Sequence, residues 1–148
     1  MFAMMGTTAL LVSITMLIHY EILRVVSDAL PRLQLPRRLK ILALMYALFL
    51  CHTLEVWLYA LTLWGVTQWT SFGILATYGG VPVGDFADFL YYSAATYTSL
   101  GFGDLVPKGD VRLLAGVEAL NGLVLIGWSA SVTYLAMERL WPIRLIKK

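Results

Sequence analysis

An all-α membrane protein with three spanning helices is the fold class this chain predicts, and three observations predict it. Of 148 residues, 59% are hydrophobic and only 14% charged, with a mean hydropathy of +0.76. A soluble domain carries charge on about a quarter of its residues. Three apolar runs, Met4 to Val26, Ile41 to Trp64 and Val111 to Met137, are each long enough at about 1.5 Å per residue to cross about 30 Å of hydrocarbon. Finally, no Lys or Arg lies between Lys40 and Lys108. The cations gather instead at Arg24, Arg32, Arg37, Arg38 and Lys40, and at Arg139, Arg144, Lys147 and Lys148. Positive residues mark cytoplasmic loops.

Taken in order, residues 1–27 predict an N-terminal transmembrane helix, which Arg24 alone does not make a voltage sensor. Residues 28–40, broken by Pro31 and Pro36, predict a cytoplasmic interfacial elbow. The second run, 41–64, is followed by an uncharged stretch, 65–84, whose Trp69, Phe72 and Tyr78 suit an interfacial aromatic belt. Segment 85–98 is rich in aromatic and small residues and has the length of a helix that goes half-way across a membrane and returns. The third span, 111–137, ends before a short basic tail, 141–148. The N-terminus is therefore expected outside and the C-terminus in the cytoplasm of a multi-pass protein of the cell membrane. His19, Glu21 and Arg24 read as a polar group at a helix end, with Glu21 pairing Arg24. Cys51 reads as a small buried hydrophobe without redox chemistry.

Between the second and third runs stands Thr96-Tyr97-Thr98-Ser99-Leu100-Gly101-Phe102-Gly103-Asp104. Successive carbonyls aimed at one axis require alternate residues at positive φ, and Gly101 and Gly103 have the right spacing. With the exit Asp104-Leu105-Val106-Pro107 and the pair Tyr91-Tyr92, this stretch resembles the pore loop of potassium channels, over about residues 39–140. That family lines its filter with carbonyls from four loops. The resemblance implies an outer helix at 41–64, a turret at 65–84, a re-entrant pore helix at 85–98, a filter at 99–104 and an inner helix at 111–137. It implies K+ at the carbonyls of Ser99, Leu100, Gly101, Phe102 and Gly103, supported by Tyr91, Tyr92, Thr98 and Asp104. Gly122 falls where the family has its gating hinge, although close helix approach also explains a glycine there. One loop per chain cannot enclose an ion, so a fourfold homotetramer is implied.

Ionisable groups inside a span are costly and are candidate functional sites. His52 and Glu55 lie three apart in the second span, Glu118 and Asn121 three apart in the third. Counted from the run ends, Glu55 lies about 21 Å above Ile41 and Glu118 about 10 Å below Val111. That places the two carboxylates at one level, with His52 and Asn121 meeting near the midplane. Three roles are open: a hydrogen-bonded lock on helix packing, pH sensing through coupled titration, or a metal site of His52, Glu55 and Glu118.

The expected function is a passive potassium-selective channel in the lipid bilayer, modulated by pH. A weakly selective cation channel and a non-conducting channel-like subunit or sensor are the alternatives. No nucleophile and base, cofactor loop or two-histidine metal motif argues for an enzyme. No cofactor beyond the permeant K+ and no nucleic-acid partner is expected.

Overall fold

A computed structural model describes residues 1–140; the basic tail 141–148, with Arg144, Lys147 and Lys148, lies outside the described residues. The elements run α1 (Phe2–Arg32), α2 (Arg37–Trp69), β1 (Gly73–Thr77), α3 (Phe86–Tyr97), β2 (Leu105–Gly109) and α4 (Val111–Leu140). The helices α1, α2 and α4 are each long and apolar enough to cross a membrane. At 31, 33 and 30 residues, they overrun the apolar runs from which they were expected and continue into the flanking polar residues.

The elbow is correspondingly shorter than 28–40. α1 continues to Arg32 with Pro31 in its last turn, where the missing N–H leaves a carbonyl of the preceding turn without its intrahelical bond, and Pro36 stands at the cap of α2. Lys40 donates from Nζ to the Pro31 carbonyl at 3.2 Å, supplying a partner for a backbone group that the helix end leaves free. So short a link forces α1 and α2 to pack antiparallel.

The turret expected at 65–84 contains structure that the sequence reading did not foresee. α2 runs on to Trp69, and β1 then pairs antiparallel with β2, from Gly73 opposite Gly109 to Thr77 opposite Leu105. The two strands bracket α3 and the loop after it. Five-residue strands carrying Gly and Pro present no alternating pattern that a sequence reading detects.

The core is continuous from α1 to α4. Met4 and Leu11 of α1 pack with Tyr59 and Leu63 of α2, Phe89, Tyr92 and Tyr97 of α3, and Leu114 of α4. A second cluster joins Leu23 to Leu44 and Leu48, with Val132 and Ala136 against it. The buried face of α1 repeats every three or four residues, Met4, Thr8, Leu11, Thr15, His19 and Leu23, which is the stripe of a helix packed on one side. Its threonines reach back to their own helix, Thr8 donating to the Met4 carbonyl at 2.8 Å and Thr15 to that of Leu11 at 3.0 Å. α1 is thus an integral wall of the unit.

Candidate functional site

α3 begins at the Asp85 cap, whose side chain accepts from the Ala87 N–H at 3.4 Å. It ends where Thr98 Oγ1 donates back to the Ala94 carbonyl at 2.8 Å. The loop that follows is tied to the last turn of α3. Ser99 N–H donates to the Thr96 carbonyl at 2.9 Å, and the N–H groups of Leu100 and Gly101 both donate to the Ala95 carbonyl, at 2.9 and 3.1 Å.

Beyond this anchor the backbone alternates. Ser99, Gly101 and Gly103 have φ of +58°, +56° and +79°. The two glycines were expected in this region; Ser99 joins them at a cost of about 1–2 kcal/mol, because its Cβ crowds the following carbonyl. A Cβ added at Gly101 or Gly103 meets no atom within 4 Å. Within the chain, backbone conformation and not space therefore favours glycine at both positions.

The flanking residues behave differently from one another. The Phe102 ring stacks on Tyr91 with centroids 6.0 Å apart and planes 6° from parallel. Asp104 lies beside Tyr91 and holds its phenol above the usual range. Tyr92 is buried in the core instead. The Asp104 carbonyl accepts from the Tyr78 N–H at 2.9 Å, which fastens the loop exit to the end of β1.

α4 passes close behind α3 at Gly122. A Cβ there would overlap the Tyr97 carbonyl oxygen, so the missing side chain is used for close approach, and α4 runs through the position without a break.

The four polar residues expected to form one cluster fall into three groups. Glu118 accepts from Ser93 Oγ of α3, which also reaches the Val56 carbonyl at 3.1 Å. Asn121 donates from Nδ2 to Thr15 Oγ1 of α1 at 2.9 Å and to the Tyr59 hydroxyl of α2 at 3.0 Å. His52 and Glu55 belong to a third group, described below. Tyr59 therefore stands level with Asn121, and His52 with Ser129, a register about two helical turns away from the expected one. Depths counted from the ends of the apolar runs misplaced it, because α2 starts at Arg37 and α4 reaches Leu140. The expected pairing of Glu55 with Glu118, and the metal set His52, Glu55 and Glu118, are not what the fold assembles. Glu118 Oε2 and Asn121 Oδ1 are buried without a hydrogen-bond partner.

The third group centres on Glu55, fully buried on α2. Its Oε1 lies 2.9 Å from His19 Nδ1 and 3.5 Å from Cys51 Sγ. Its Oε2 accepts from the Tyr97 hydroxyl at 2.5 Å and lies 3.1 Å from His52 Nδ1. Ser129 Oγ on α4 lies 3.0 Å from His52 Nε2 and 3.2 Å from His19 Nε2. Hence one carboxylate joins all four helices. The sequence reading missed His19, which is buried and not part of a helix-end group, and Cys51, which has polar partners. Two signals for them were present: Cys51 and Glu55 are four apart on one helix, and His19 continues the spacing of Leu11 and Thr15. The expected Glu21–Arg24 pair does form, at 2.7 Å.

Three long apolar helices, two of them packed against a half-length helix with a glycine-spaced loop folded back on its end, give the architecture of an all-α membrane protein. An ion-channel family model matches residues 39–139, which take in α2 through nearly all of α4. The chain belongs to that ion-channel family, and α1 is its addition to the matched region. No curated protein and no solved structure matches the chain significantly.

Proposed function

We propose that the protein is a potassium-selective channel in which four copies bring residues 99–103 around one axis and K+ passes passively between their carbonyls. The observation that carries this reading is the alternation of positive φ at Ser99, Gly101 and Gly103 immediately after a half-length helix. Alternate left-handed residues turn consecutive carbonyls to one side of the chain, the arrangement that replaces an ion's hydration shell. The C-terminal end of α3 adjoins the loop, and its dipole, equivalent to about half a negative charge, favours a cation there. By the cation distribution, the elbow and C-terminus face the cytoplasm and the β1–β2 end faces outward.

A weakly selective cation channel is the second reading. It is favoured by Leu100, which is 60% exposed in the single chain and lacks the aromatic stack that steadies Phe102. Selectivity depends on how firmly the carbonyl cage is held.

Modulation by pH is assigned to Glu118, the ionisable residue of the expected set left with an unpartnered oxygen. A change in its charge must alter its bond to Ser93 on α3.

Purified protein in liposomes tests the reading. Potassium flux with sodium excluded is the expected result; comparable fluxes establish the weakly selective channel, and absent flux with intact assembly leaves a non-conducting subunit. Native mass measurement should give four protomers.

A further inference from the structure

We propose that His19 Nδ1, Cys51 Sγ and Glu55 Oε1 form a transition-metal site, best suited to zinc, that fastens α1 to α2 behind the end of α3. The three donors are fully or almost fully buried and lie within 4.8 Å of one another. Their separations are 2.9 Å between nitrogen and oxygen and 3.5 Å from sulfur to each of the others. Zinc bonds of about 2.0–2.2 Å to nitrogen and oxygen and about 2.3 Å to sulfur, set tetrahedrally, require donor separations of about 3.3–3.6 Å. The sulfur edges already fit, and the nitrogen–oxygen edge needs to open by a few tenths of an ångström.

The surrounding contacts are those that a ligand set needs. A metal-bound imidazole holds its ring through its other nitrogen, and a bound carboxylate through its other oxygen. His19 Nε2 meets Ser129 Oγ at 3.2 Å. Glu55 Oε2 meets the Tyr97 hydroxyl and His52 Nδ1. Charge closes as well: a thiolate and a carboxylate neutralise a divalent cation, so the loaded site adds no net charge to the interior.

The hydrogen-bond chain accommodates the ion: with a metal on His19 Nδ1, His19 Nε2–H can donate to Ser129, Ser129 to His52 Nε2, and His52 Nδ1–H to Glu55 or to the Tyr97 hydroxyl at 2.9 Å. The site does not depend on which ion the pore passes.

Untagged full-length protein, stripped with a chelator and then titrated with Zn2+ and with Co2+, tests the proposal. The expected result is one metal per chain, with a sulfur-to-cobalt charge-transfer band in the near ultraviolet that requires a thiolate ligand. Cys51→Ser and His19→Gln should each weaken zinc binding at least tenfold, with the band lost in Cys51→Ser. Ser129→Ala should weaken binding about tenfold while keeping the band, as a support to a ligand does. Should Cys51→Ser fail to fold, the band in the unaltered protein decides. Folded protein without the band, or zinc binding unchanged in a folded Cys51→Ser variant, overturns the proposal.

Discussion

Tyr97, the last residue of α3, donates its hydroxyl to Glu55 Oε2 on α2 at 2.5 Å. The residue two positions before the loop at Ser99 is thereby tied to the carboxylate that also meets α1 through His19 and, through His52 and Ser129, reaches α4. The position of the loop is consequently linked to the packing of all three long helices.

Tyr97→Phe removes that donor while keeping the ring in its buried place. The expected loss of stability is about 1–3 kcal/mol, the cost of leaving a buried polar group short of a partner. Thermal unfolding of the purified variant against the unaltered protein measures it. An unchanged transition would mean that the bond carries no stability.

Gly101→Ala should abolish or severely reduce conduction without dissociating the assembly. Since the added Cβ meets no atom of its own chain within 4 Å, the cost within the chain is the left-handed conformation at φ +56°, about 1–2 kcal/mol. Potassium flux in liposomes is the readout. Undiminished selective flux would remove the loop from the conduction path.

Gly122→Ala and Gly127→Ala separate two uses of glycine in α4. A Cβ at Gly122 overlaps the Tyr97 carbonyl, whereas at Gly127 it meets nothing within 4 Å. The first substitution should cost about 1–3 kcal/mol through overpacking, and the second should stay within about 1 kcal/mol of the unaltered protein. Yield and thermal unfolding of the two variants compare them directly.

Glu118→Gln should flatten the dependence of flux on pH while leaving assembly intact, because glutamine keeps an acceptor for Ser93 but cannot change charge. Flux against pH for both proteins is the measurement. Superimposable curves would take Glu118 out of pH sensing.

The three spans and the half-length helix were legible because each rests on a long apolar run or on a local spacing, and both survive without knowledge of neighbours. The alternation at Gly101 and Gly103 was legible for the same reason: the required φ is a property of each residue. What the sequence did not disclose depends on register between helices. Glu55 finds His19, 36 positions away, and Ser129 finds both histidines, and a shift of about two turns would have given each a different partner. The β1–β2 pairing was hidden in turn, because short strands with Gly and Pro form through the partner opposite and not through a pattern of their own.

Strand pairing between β1 and β2 leaves a tight exposed turn at its open side. Thr77 N–H donates to the Val81 carbonyl at 2.8 Å and Gly80 N–H to that of Thr77 at 2.8 Å, and Tyr78 between them is 86% exposed. Both ends of this turn are pinned, so extra residues there lengthen a loop without pulling on the segment that the strands enclose. An epitope inserted between Gly79 and Gly80 is therefore a handle: antibody labelling of intact against permeabilised cells would read directly which side of the membrane this end of the protein occupies.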